Sequence, residues 1–141
     1  MPELPDILVY VDAVSERVIG TVLERVRLVR PFLLRSVDPP LEDVHGKRVL
    51  AVGRVGKRIA LGLDDELFLV VHLMIAGRLH WKPAGAAVPR GHGLAAFDFS
   101  SGTLTLTEAG SRKRASLVVV RGRAGLEALG RGGLDVLAAS P

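Results

Sequence analysis

The first six residues, Met1-Pro2-Glu3-Leu4-Pro5-Asp6, hold the groups with the most evident chemical use. An initiator methionine before a small residue such as proline is commonly removed, which would make Pro2 the N-terminus. A free N-terminal proline is a secondary amine, and α-amino groups ionise near pH ~8. At neutral pH a useful fraction is therefore uncharged and nucleophilic, with no buried lysine to be tuned. With an aldehydic carbon such an amine gives an iminium ion, which acidifies the neighbouring C–H and drives elimination. Glu3 is adjacent and can give or take the protons this requires. The same residues also have an ordinary use: Pro2 favours methionine removal, Glu3 is a solvated charge, and Pro5 opens a helix.

The rest of the chain must hold that N-terminus in place. Ile7, Val11, Val14 and Val18 step by four, three and four, which predicts an amphipathic helix over residues 5–19 with Asp6 at its positive end and Gly20 as its stop. Beyond Gly20 the pattern turns to strands. They are expected at 21–29, at 48–55 and 58–63 hinged on Gly56-Lys57, at 67–73 and at 78–82. A hairpin is expected at 94–99 and 103–107 around Ser100-Ser101-Gly102, then a last strand at 115–121 and a short helix at 125–129. The Pro-, Gly- and Ala-rich stretch 83–93 reads as a loop. The fold class that results is mainly β with helices: a two-sheet antiparallel β-sandwich of about eight strands, with an N-terminal α-helix and a short C-terminal helix.

Composition narrows the partners. At 141 residues and 48% hydrophobic, the chain can build one cored domain, and disorder is excluded. The absence of cysteine removes disulfides, thiol catalysis and cysteine-ligated zinc together. The four histidines, His45, His72, His80 and His92, lack metal-ligand spacing, so no metal is expected. His72, inside an apolar run, reads as a hydrogen-bonded core residue. No stretch has the ~18 apolar residues of a membrane helix, and the N-terminus lacks a signal-peptide pattern, so a cytoplasmic protein is expected. Fifteen of the 19 basic residues are arginine, and the net charge is +4. Two basic segments, 46–63 and 109–125, contain no acid, a pattern suited to a polyanion.

The pentapeptide Met1-Pro2-Glu3-Leu4-Pro5, followed by an amphipathic helix ending near Gly20, resembles the start of the formamidopyrimidine-DNA glycosylase/endonuclease VIII family. Gly53-Arg54-Val55-Gly56-Lys57-Arg58 resembles the family's hairpin with a DNA-contacting lysine. His72-Leu73-Met74-Ile75-Ala76-Gly77-Arg78-Leu79 resembles its buried strand and the turn after it, and Phe97-Asp98-Phe99 with Gly102 its next hairpin. Gly132-Gly133-Leu134 sits where the family's first domain hands over to its second.

The resemblance implies repair of damaged bases in double-stranded DNA by a bifunctional glycosylase and AP lyase. Pro2 would attack C1′ of the damaged nucleotide, and β- and δ-elimination would ensue. Glu3 would shuttle protons, Lys57 would pair with a phosphate beside the lesion, and Asp6 would be an acidic group of the first helical turn. His92 falls where the family has a DNA-contacting histidine. Either Met74 or Ile75 takes the place of its void-filling methionine. The family's Arg-Phe turn is replaced by residues 108–116, which hold no aromatic group; Arg112 or Arg114 would enter the stack or bind phosphate, Arg112 being preferred. Residues 1–130 would form the catalytic domain and 131–141 the start of a linker. A helix–two-turn–helix and zinc-finger domain would lie beyond, so that a structural zinc would belong there, with no cofactor in this chain. The location implied is the bacterial cytoplasm, at the nucleoid. The alternative is a DNA-binding or partner-binding β-sandwich of the same ancestry without catalysis.

Overall fold

The computed structural model describes residues 4–130. Helix α1, Leu4–Val18, lies within a residue of its expected bounds. Its stripe Ile7, Val11, Val14 and Val18 is at most 3% exposed, so the apolar period is spent on the core. Eight strands come after it: β1 Val22–Leu28, β2 Lys47–Val55, β3 Arg58–Leu63, β4 Leu67–His72, β5 Gly77–Lys82, β6 Gly93–Phe99, β7 Gly102–Glu108 and β8 Ser116–Arg121. Helix α2, Gly122–Leu129, begins three residues earlier than the sequence pattern indicates.

All ladders are antiparallel, and the strands form one continuous order, β5-β7-β6-β1-β2-β3-β4-β8. The expected two layers arise by folding this order at its middle. There β1 and β2 share only Val22↔Arg48 and Leu23↔Lys47, and the register of each shifts just beyond, at Leu23/Arg25 and Val49/Ala51. Such irregularities bend and twist a strand, which lets the sheet turn over on itself. Leu79, Phe97 and Leu104 of one half then line the same small apolar space as Ile59, Leu61 and Val71 of the other, with Val14 of α1 beside them.

The near-continuous apolar runs of β3 and β4 have a separate cause. Their second face is also covered: Ala60, Phe68 and Val70 pack with Ala51, Val55 and Leu126 of α2 in a second cluster. A strand buried on both faces loses the alternation that marks a half-exposed one. The β8 edge is closed by the segment 34–36, through a parallel bridge Leu34↔Leu117, an Arg35 N–H bond to the Leu117 carbonyl (2.9 Å) and a Val119 N–H bond to Ser36 Oγ (2.9 Å). The β5 edge instead exposes Arg78, His80 and Lys82, charges and polar groups that discourage edge-to-edge pairing.

One buried polar knot fixes the loop carrying His92. Asp98 on β6 is 5% exposed and accepts Arg27 Nε (2.7 Å) and Nη2 (2.9 Å), Arg25 Nε (2.9 Å) and Thr103 Oγ1 (2.6 Å). Burial opposes its charge, but the hydrogen bonds from Arg27, Thr103 and Arg25 outweigh that and bring its pKa down to about 2. The same groups reach into the loop: Arg27 donates to the Ala86 carbonyl (2.6 Å), and the Gly85 N–H donates to Thr103 Oγ1 (2.8 Å). Arg30 adds a bond to the Gly91 carbonyl (2.9 Å).

Candidate nucleic-acid interface

Pro2 and Glu3, the residues expected to do the chemistry, lie outside the described residues. The element they lead into is described. α1 starts at Leu4, so both precede its first turn directly, and exposed Asp6 sits in that turn. Beside it opens a cleft of about 400 Å³ lined by Asp6, Val9, Tyr10 and Arg78. The cleft thus has an acidic and a basic side chain, an aromatic ring and an apolar wall beside the first turns of α1.

Arg78 was not singled out by sequence reasoning, which saw only the first residue of a short strand. Its Nη1 donates to the carbonyls of Gly77 (2.7 Å) and Ile75 (3.2 Å). The guanidinium therefore joins the cleft at α1 to the turn between β4 and β5. That turn is tight: the Gly77 N–H donates to the Leu73 carbonyl (3.0 Å), and Met74 holds the left-handed φ of 59°. A non-glycine residue there is uncommon and marks local strain. Of the two candidates for the void-filling position, Met74 is half-buried, whereas Ile75 is 58% exposed at the apex. The exposed apolar tip is Ile75.

Sheet register gathers the remaining candidates at one end of the strands. β2 and β3 meet at Gly56-Lys57, where Gly56 takes a φ of 62° and Arg54 Nη1 donates to the Gly56 carbonyl (2.9 Å). Lys57 is exposed at that tip. Ile59↔Val71 and His72↔Ser116 pair the start of β3, the end of β4 and the start of β8, while Gly77↔Glu108 pairs the start of β5 with the end of β7. Lys57, the 73–76 turn and the 109–115 loop holding exposed Arg112 are thus brought to the same end. His92 joins them: it is exposed, and its carbonyl accepts the Glu108 N–H at 2.8 Å.

His72 departs from expectation. It is half-buried, but its Nε2 is buried with no hydrogen-bond partner among the described residues, so it is not a satisfied core group. Burial, with the nearby Arg58 charge as second cause, lowers its pKa and keeps the ring neutral at pH 7. A run of apolar neighbours hid this in the sequence; the position at a strand end was the available signal. Sequence reasoning also passed over Glu108, which is 2% exposed and accepts the N–H groups of Arg114 and Ala115 on both carboxylate oxygens, at 3.0–3.2 Å.

The basic segments divide on folding. Lys47 pairs with Asp65 (2.6 Å), Arg48 Nη1 bonds the Gly20 carbonyl (2.5 Å), Arg58 Nη1 bonds the Leu129 carbonyl (3.1 Å), and Arg121 pairs with Asp43 (3.4 Å). The single polyanion face that the two acid-free stretches led us to expect is therefore reduced to part of each stretch. Among the described residues, no group of three His, Asp or Glu side chains is placed to hold a metal ion, and no helix is long and apolar enough to cross a membrane.

Known proteins resemble this chain in sequence and fold. A formamidopyrimidine-DNA glycosylase of Heliobacterium modesticaldum is 32% identical over 138 residues, covering 95% of this chain and 50% of the relative. One from Pelotomaculum thermopropionicum is 33% identical over 106 residues, covering 72% and 37%. The chain spans at most about half the length of these relatives. Among solved structures, the Lactococcus lactis enzyme bound non-covalently to DNA containing an AP site superposes with a TM-score of 0.75 at 19% identity, over 85% of this chain and 45% of that one. A MutM complex with DNA containing carbocyclic 8-oxo-G gives 0.75 at 21% identity, over 85% and 44%. These likenesses establish the fold. Residues 1–117 match the family described as the formamidopyrimidine-DNA glycosylase N-terminal domain, and the chain belongs to that family.

Proposed function

We propose that this chain is the catalytic half of a base-excision-repair enzyme, a DNA glycosylase with AP lyase activity acting on damaged double-stranded DNA. The observation that carries the reading is the family match from residue 1, which takes in Pro2-Glu3 immediately before a helix whose first turn borders the Asp6–Arg78 cleft. With Met1 removed, the Pro2 amine attacks C1′ of the damaged nucleotide and the base departs. The resulting iminium acidifies the adjacent C–H, and successive β- and δ-elimination cut the strand on both sides of the sugar. Glu3 carries protons between the sugar and the leaving base.

Other residues prepare the substrate. The reacting carbon is shielded in a stacked duplex, so the nucleotide must be turned out and the gap filled. Ile75, exposed at the apex of the strained turn, is the wedge, with Met74 supporting it from beneath. Lys57 and Arg112 contact phosphates flanking the lesion, and His92 adds a contact from the neighbouring loop. Asp6 acts at the cleft, where Arg78 opposes it. Lyase chemistry, the site roles and the division into a catalytic domain, 1–130, and a linker from 131 are parts of this proposal.

The test is borohydride trapping on abasic-site duplex, read by intact mass, with the full-length product of the gene encoding these 141 residues. A covalent protein–DNA adduct on a chain lacking Met1, lost in Pro2→Gly with the fold intact, is the expected result. No adduct from a chain that has lost Met1 would sink the catalytic reading and leave a DNA-binding relative.

A further inference from the structure

We infer that Glu108 is a positioning residue for DNA binding: its buried carboxylate holds the 109–115 loop so that Arg112 faces the duplex. The inference rests on the proposed DNA reading and deepens it, since Arg112 is placed in the interface there.

Three observations converge on this one side chain. Glu108 ends β7 at 2% exposure, where an unpaired carboxylate would be prohibitive. It is satisfied by the loop itself: Oε1 and Oε2 take the Arg114 N–H at 3.0 Å each and the Ala115 N–H at 3.2 and 3.1 Å. Charge-assisted bonds to two successive amides are stronger than neutral ones and fix the local backbone direction. Lys113 folds the loop from the other side, its Nζ donating to the carbonyls of Glu108 (2.5 Å) and Gly110 (2.6 Å). With Lys113 and the backbone amides of 114 and 115 bound in this way, the exposed basic side chains of the loop are Arg112 and Arg114, and Arg112 stands immediately before the anchored stretch.

The same residue couples this loop to the other two. Its N–H donates to the His92 carbonyl (2.8 Å), and it pairs with Gly77 at the base of the turn bearing Ile75. A loop of Ala, Gly, Ser, Arg and Lys has no large apolar side chain able to anchor it, and no aromatic one. The carboxylate is what gives it a defined shape. A flexible loop would lose ordering entropy on every binding event, and pre-organisation removes that cost.

The experiment is a double-mutant cycle in the full-length gene product, using Glu108→Gln and Arg112→Ala singly and together. Gln keeps shape but sets an NH₂ against one of the two amide donors. The readouts are equilibrium affinity for abasic-site duplex and amide hydrogen exchange of the free protein. The expected result is a loss of roughly ten-fold in affinity for each single variant, with the double variant no worse than Arg112→Ala alone. Exchange at Arg114 and Ala115 should rise in Glu108→Gln while the β3 and β4 amides keep their protection, and Glu108→Asp should restore part of the affinity. Additive losses in the cycle, or unchanged exchange at Arg114 and Ala115, would overturn the inference while leaving the DNA reading standing. No duplex binding by the wild-type protein would instead remove the DNA reading, and this inference with it.

Discussion

At Gly77 there is no room for a methyl group. A Cβ built there would lie 2.3 Å from the Leu73 carbonyl oxygen and 2.9 Å from its Cα, both backbone atoms that cannot swing aside. Gly77→Ala should therefore destabilise the fold by roughly 1–3 kcal/mol, through strain in the β4–β5 turn. Urea unfolding checks the stability. Trapping should fall at the same time, because the turn that must give way carries Ile75. Ile75→Ala separates the two effects: the residue is already 58% exposed, so its stability should change by less than about 0.5 kcal/mol. If Ile75 is the wedge, affinity for abasic duplex still falls, while Met74→Ala acts mainly through stability. Equal stability losses for the two alanine variants would contradict this division. The Met-Ile pair illustrates how far residues alone could be read. The motif pointed to this pair without choosing between them; which one stands exposed at the apex depended on the left-handed backbone at Met74.

Among the elements, the strands were largely readable because most alternate or end at glycine, proline or paired acids. β3, 58–63, falls where the pattern places it, and the hairpin β6–β7 does so within one residue. That two layers form was readable; that both come from one continuous strand order was not, since the fold-over depends on register shifts at Leu23/Arg25 and Val49/Ala51 that no local pattern encodes. Nor was the Asp98 knot, whose partners come from β1 and β7, 71–73 residues earlier and five later. That knot carries an element-scale prediction. The folded pKa of Asp98, about 2, lies below the ~3.9 of an unfolded aspartate, so its contribution is fully present above pH ~4 and is lost as pH falls through about 2. Asp98→Asn should cost roughly 2 kcal/mol at pH 7, and the gap to wild type should narrow between pH 4 and 2. Thermal unfolding across that range checks it; a constant gap would mean that the charge of Asp98 contributes nothing. The loop 83–92, tied to the same groups, should show faster amide exchange in the variant.

For the whole molecule, the proposed DNA reading raises the question of which positive charges would meet the duplex, and net charge answers it poorly. Lys47, Arg48 and Arg121 lie where β2 begins and β3, β4 and β8 have their other ends, and each is engaged there by Asp65, the Gly20 carbonyl or Asp43. Lys57 lies at the opposite end of β2, together with Arg112 and Arg114 at the start of β8. Strand length therefore separates bases that the sequence groups together: the nine residues of β2 alone span roughly 30 Å, nearly four Debye lengths of about 8 Å in physiological salt. If only the Lys57 end meets the duplex, this domain contributes about three phosphate neutralisations, and each removed base should lower the slope of log K against log salt by about 0.9. Lys57→Ala should do so at every sequence tested, because phosphate contacts position the protein without reading bases. Lys47→Ala, made in the same full-length protein, should leave both slope and affinity unchanged. A salt titration of the two variants decides it: an equal change in slope would mean that DNA runs along the sheet instead of crossing its end, and would move the interface away from the cleft at α1.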